Sequence, residues 1–126
     1  MAVGTASDGS PREIELREDP SGATGGKIWG ASRVFADILH ERACASAGER
    51  QRLPQTVLEL GCGTGYLAMR LAADTKGTRV IATDVQSQMK NLKFNVGRNQ
   101  LRHAVRARVS GLVVIPRLHL PLSRYR

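Results

Sequence analysis

The stretch Thr56-Val-Leu-Glu-Leu-Gly-Cys-Gly-Thr-Gly-Tyr-Leu-Ala-Met-Arg-Leu-Ala-Ala73 decides the fold. Val57, Leu58 and Leu60 read as a buried strand, because four to five apolar or β-branched residues end on a glycine turn. Gly61, Gly63 and Gly65 are that turn. Leu67, Leu71 and the alanines around them supply one face of a helix. A second apolar run, Val80-Ile-Ala-Thr-Asp84, ends on a carboxylate 19 residues beyond Gly65. Strand, glycine turn, helix, strand and acid form the first half of a dinucleotide-type cofactor site, where about 20 residues separate turn and acid.

The glycine spacing differs from that of a dehydrogenase. A pyrophosphate at a helix N-terminus calls for G-x-G-x-x-G, whereas Glu59-Leu-Gly-Cys-Gly-Thr-Gly65 has G-x-G-x-G with an acid two residues ahead. This string resembles motif I of class I S-adenosylmethionine-dependent methyltransferases. The resemblance implies S-adenosyl-L-methionine as cofactor. Gly61, Gly63 and Gly65 would let the backbone approach it where a Cβ would intrude. It implies that Glu59 supports the loop and that Asp84 accepts hydrogen bonds from the ribose hydroxyls.

A second segment narrows the family. Gly25-Gly-Lys-Ile-Trp-Gly-Ala-Ser-Arg-Val-Phe-Ala-Asp-Ile-Leu39 is similar to the G-x-x-W segment of the methyltransferase-like protein-lysine methyltransferases, methyltransferase family 16. Trp29 then stands on the cofactor-side wall. Val34, Phe35, Ile38 and Leu39 give the following helix an apolar face. Met89-Lys-Asn-Leu-Lys-Phe-Asn-Val-Gly-Arg-Asn99 resembles the same family's L-x-x-N-x-x-x-N helix, through Asn95 and Asn99.

Elsewhere the chain follows elementary patterns. Residues 1–11 are rich in Gly, Ser, Ala and Pro and read as disordered. Arg12 to Glu18 alternates charge with Ile14 and Leu16, an edge-strand pattern. A helix is expected from Ala31 to Ala47, and another from Gln86 with Val85, Met89, Leu92 and Val96 on one face. Val105 to Val109 alternates as the third strand of a parallel sheet. The fold class is therefore α/β: a Rossmann-like parallel sheet with flanking helices, about three strands of the seven-stranded methyltransferase fold. Residues 12–109 form the N-terminal half of that domain.

Residues 110–126 depart from the family pattern. An acidic-aromatic stretch is expected after the third strand, and the chain instead reads Ser110-Gly-Leu-Val-Val-Ile-Pro116. The net charge of +8 arises in the last third of the chain: residues 1–84 carry 10 Lys/Arg and 11 Asp/Glu, residues 85–126 carry 9 Lys/Arg and no acid. Such a basic tail suits an anionic surface, although only Tyr125 is available to stack on a base. Cys44 and Cys62 have no metal or redox spacing, and His103 and His119 are solitary, so no metal site is expected. A cytosolic or nuclear setting follows from the same cysteine usage, and no apolar run is long enough to span a membrane.

The sequence reads as a S-adenosylmethionine-dependent methyltransferase acting on a protein lysine, in a truncated form expected to lack activity. The alternatives are a non-catalytic remnant that interacts through its basic tail, and a small-molecule or nucleic-acid methyltransferase sharing motif I. No catalytic residue is assigned.

Overall fold

Three apolar segments form the centre of the chain, β3 (Thr56–Leu60), β4 (Arg79–Asp84) and β5 (Val105–Val109), paired in parallel in that order. They are preceded by β1 (Ala2–Thr5), β2 (Pro11–Ile14) and helix α1 (Gly30–Cys44). Helices α2 (Tyr66–Asp74) and α3 (Met89–Arg98) provide the crossovers between the parallel strands. A computed structural model describes residues 2–5, 11–21, 24–44, 53–75 and 77–110.

The register places Val57, Val80 and Val105 in one row and Glu59, Ala82 and Ala107 in the next, on one face of the sheet. Side chains alternate along a strand, so this face can be apolar while its opposite differs. α2 packs on β4 and α3 on β5. Met69, Leu92, Val80, Ala82, Val96, Leu101 and Val105 are buried there. Each fully buried large apolar side chain contributes about 1.5–3 kcal/mol relative to an exposed one.

The other face corrects one expectation. Leu58 and Leu60, read as buried strand residues, are 60% and 58% exposed. They share their rows with Ile81 and Arg106, and with Thr83 and Arg108. No described element covers that face. Apolar alternation identified the strand, but it could not tell which side a helix would occupy.

α1 corrects another. Val34, Phe35 and Ile38 were expected to face inward, and all three are exposed. The inward positions are Ala36, which is buried, and Leu39 and His40, which are partly so. Small Ala36 suits close contact between helices, and a polar cluster completes the joint. Arg70 of α2 is buried and pairs with buried Asp74 at 3.0 Å. Its guanidinium also donates to the Tyr66 hydroxyl at 3.0 Å and reaches Asp37 at 3.4 Å. His40 Nδ1 lies 3.2 Å from Asp74 Oδ2. Burial raises the Asp74 carboxyl above its ordinary range against the pull of Arg70 and His40.

The N-terminal segment is held in two ways. Ala2–Thr5, within the stretch read as disordered, pairs antiparallel with Pro11–Ile14. That pairing is made by the backbone, which a compositional reading does not register. Beyond β2 the chain runs along α3, where Asn91, Asn95 and Asn99 stand one turn apart on a single side. Asn99 Oδ1 accepts the Glu15 N–H at 2.9 Å and its Nδ2 donates to the Glu15 carbonyl at 2.7 Å. Asn95 repeats the pattern on Arg17, at 2.9 and 3.1 Å. Asn91 adds a donation to the Arg17 carbonyl and accepts from Arg17 Nε. A column of side-chain amides thus hydrogen-bonds an extended strand through alternate residues, as a neighbouring strand would. Arg17 is further seated over the Phe94 ring, and Arg98 pairs with Glu15.

Candidate cofactor-binding cleft

At the C-terminal end of β3 the chain must leave the sheet and enter α2 within five residues. Gly61, Gly63 and Gly65 take φ values of 64°, 53° and 83°, the left-handed region that non-glycine residues seldom adopt. The turn is tied to the sheet by the Cys62 N–H, which donates to the Thr83 carbonyl at 3.0 Å, and it closes through the Gly65 N–H on the Cys62 carbonyl at 2.9 Å.

The three glycines are not equivalent. A Cβ at Gly61 would meet nothing within 4 Å. One at Gly63 would lie 2.8 Å from the Gly25 carbonyl oxygen, so the loop and the segment before α1 touch backbone to backbone. One at Gly65 would lie 2.5 Å from Leu92 Cδ1 of α3. Gly61 therefore borders open space, Gly63 joins two loops, and Gly65 faces the protein interior.

Asp84 ends β4 beside this loop. Its Oδ2 accepts the Gly63 N–H at 2.7 Å and its Oδ1 accepts the Val85 N–H at 2.7 Å. An ionised carboxylate has about four acceptor positions, so two remain for hydroxyl donors. The carboxylate both fixes the glycine loop and faces the same cleft.

The opposite wall comes from Thr24 to Trp29. The Trp29 indole N–H donates to the Thr24 carbonyl at 2.9 Å, and the Ile28 N–H to Glu18 Oε1 at 2.7 Å. The Asp19 N–H donates to the Gly26 carbonyl at 2.8 Å, and a Cβ on Gly26 would lie 2.5 Å from the Asp19 carbonyl oxygen. These contacts hold a loop whose composition promises none of them. Between the walls lies a cleft of about 250 Å³, bordered by Trp29, Gly61, Gly63 and Asp84 together with Gly25, Lys27, Thr64 and Tyr66. Small-molecule sites are usually clefts of about 300–1,000 Å³, so these walls enclose part of a cofactor-sized pocket.

Glu59 and Gly65 do not border the cleft. Glu59 lies beneath the loop, with the Ala68 amide in the first turn of α2 hydrogen-bonded to it. That amide would otherwise be one of the four unpaired donors of a helix N-terminus. Gly65, the residue ahead of α2, offers no side-chain cap. Burial pushes the Glu59 carboxyl up to about 7, opposed by the Ala68 hydrogen bond and reinforced by the charge of Asp84. Its Oε2 has no partner among the described residues. Burial likewise pushes the Cys62 thiol up to about 12, with Glu59 and Asp84 adding to it, which leaves the thiol protonated and unreactive at neutral pH.

Sequence reasoning missed Gly25, Lys27, Thr64 and Tyr66 as cleft residues. Gly25-Gly26, two residues short of the tryptophan, was the available signal, since paired glycines often mark a close backbone approach. Asn95 also touches the site from behind, donating to the Thr64 carbonyl at 3.0 Å. Among the described residues no group of three or more His, Cys, Asp or Glu could hold a metal ion, and no helix is long and apolar enough to cross a membrane. The basic tail lies outside the described residues beyond Ser110.

The family described as lysine methyltransferase matches residues 9–113. The chain is similar to mouse (Mus musculus) protein-lysine methyltransferase METTL21E, 31% identical over 87 residues that make up 69% of this chain and 33% of the relative. It is also similar to the human (Homo sapiens) putative methyltransferase-like protein 21E pseudogene, 29% identical over 75 residues, 60% of this chain and 26% of that sequence. The chain thus spans between a quarter and a third of the length of the curated relatives it matches.

Proposed function

This chain belongs to the lysine methyltransferase family, and from that premise we propose that its cleft binds S-adenosylmethionine as methyl donor for a protein lysine. When bound, that cofactor supplies a methyl group activated on a sulfonium sulfur. The residues of this chain do the binding and the orienting. Asp84 accepts hydrogen bonds from the ribose hydroxyls with the acceptor positions its two backbone partners leave free. Gly61 opens the wall that a side chain would otherwise obstruct. Trp29 closes the other side. Holding the donor rigidly is most of what a displacement at a methyl group needs, because alignment of the reacting atoms lowers its barrier.

The observation that carries the reading is the joint placement of Asp84, Gly61, Gly63 and Trp29 around one cleft. They come from three separate parts of the sequence. Among the described residues no side chain is assigned to hold or deprotonate the acceptor lysine. The protein-lysine substrate rests on the name of the mouse relative, and a cytosolic or nuclear setting on cysteine usage.

Calorimetric titration with S-adenosylhomocysteine tests the proposal. Binding is expected in the wild type, and Asp84→Asn should weaken it about tenfold through loss of charge-assisted hydrogen bonds to the diol. Undiminished affinity in a folded Asp84→Asn protein would remove Asp84 from the ribose site. No binding by the wild type would overturn the cofactor reading.

A further inference from the structure

The cleft is bordered by one residue of each charge, Asp84 and Lys27, and no ion pair joins them among the described residues. Asp84 is committed to the Gly63 and Val85 amides. Among the described residues Lys27 has neither an ion pair nor a side-chain hydrogen bond. Its backbone is nonetheless closely placed. Gly26 on one side is buried against Asp19, and Ile28 on the other is bonded to Glu18. Trp29, one residue further, is anchored to Thr24. A fixed backbone thus presents a flexible cationic side chain at a cleft whose other charged side chain is a carboxylate. A ligand suited to such walls carries hydroxyl donors for Asp84 and an anionic group for Lys27.

We propose that Lys27 is the specificity-determining residue for the amino-acid end of the cofactor, its ammonium taking the α-carboxylate. The proposal rests on the S-adenosylmethionine reading above. It adds a discrimination that reading does not contain: nucleosides bearing the carboxylate are preferred over those lacking it. Lys27 is exposed, so its contribution is that of a solvent-facing ion pair. It should therefore fade as salt rises, since the screening length shrinks from about 10 Å at 0.1 M to about 3 Å at 1 M.

Two ligands separate the possibilities. S-adenosylhomocysteine carries the amino-acid carboxylate, and 5′-deoxy-5′-methylthioadenosine keeps the nucleoside and the thioether but lacks it. Dissociation constants are measured by calorimetry for the wild type, Lys27→Met and Lys27→Arg. Circular dichroism confirms that each variant is folded. Lys27→Met should weaken S-adenosylhomocysteine about fivefold at low salt, the upper range for an exposed ion pair, and leave methylthioadenosine unchanged. Lys27→Arg should retain the wild-type preference, and high salt should remove it. Equal weakening of both ligands, or no weakening of either, would overturn the role of Lys27 while leaving the cofactor reading in place. A wild type that binds neither ligand would overturn both.

Discussion

Removing the Asn95 carboxamide should destabilise the protein more than its size suggests. The side chain has 0% exposure and makes three hydrogen bonds: it accepts the Arg17 N–H and donates to the Arg17 and Thr64 carbonyls. In Asn95→Ala the Arg17 carbonyl keeps its bond from Asn91. The Arg17 N–H loses its acceptor and the Thr64 carbonyl loses this donor. Thr64 is itself buried, and a buried polar group left unpaired costs about 1–3 kcal/mol. The Arg17 amide sits nearer solvent, where water offsets part of the loss. Together with the small cavity, the total should be about 3 kcal/mol, a substantial part of the roughly 5–15 kcal/mol that keeps a domain folded. Urea unfolding followed by circular dichroism measures it, and hydrogen exchange at the Arg17 amide locates it. Asn95→Leu is the control, because it fills the space and abolishes the bonds. If Asn95→Leu matched the wild type within about 0.5 kcal/mol, the error expected of independent surface changes, the hydrogen-bond argument would be refuted and volume alone would explain the alanine result.

Three further changes probe the site and its supports. Glu59 has its carboxyl raised to about 7 against an ordinary value of 4.5, so the folded state binds more protons than the unfolded one between those values. Stability should fall as pH rises from about 4.5 to 7, by up to roughly 3 kcal/mol; Glu59→Gln should flatten that slope in melts across the range, and an unchanged slope would count against the assignment. Arg70→Met leaves buried Asp74 with His40 alone as its charged partner among the described residues and should cost about 3 kcal/mol, read by chemical unfolding, whereas a loss under about 1 kcal/mol would mean that water reaches the joint. Gly61→Ala and Gly63→Ala share a left-handed backbone, but only the second meets a carbonyl oxygen, at 2.8 Å. Both should pay strain of about 1 kcal/mol. Gly63→Ala should lose distinctly more in thermal melts, and equal melting temperatures would dismiss the backbone contact with Gly25.

Much of this architecture was legible because it is local. The turn from β3 into α2 is written in three glycines, and β5 has the bounds that its alternation predicts, Val105 to Val109. The position of Asp84 at the end of β4, beside the glycine turn, follows from spacing. What could not be read depends on partners distant in sequence. Leu58 and Leu60 look like core residues, and their exposure depends on which side of the sheet the helices took. Gly65 looks like a cofactor glycine, and its restraint comes from Leu92, 27 residues later. Asn95 and Asn99 were visible only as a pattern, whereas their bonds to Arg17 and Glu15 cross 78 and 84 residues. The inward face of α1 was misread because Ala36 and a buried ion pair, not the larger apolar residues, make its contact.

The asparagine column has a consequence for the order of assembly. Residues 15–17 are made before α3, yet the side chains that grip them come from α3 and its C-terminal end, 74 to 84 residues later. At about 5–20 residues per second of synthesis, the strand waits roughly 4–16 s before its amides meet their partners. Closing so long a loop is also entropically expensive until the sheet has brought its ends together. The bonds of residues 15–17 to α3 therefore cannot form until α3 has been made. Asn95 also holds the Thr64 carbonyl, so one side chain both grips the N-terminal strand and braces the glycine loop.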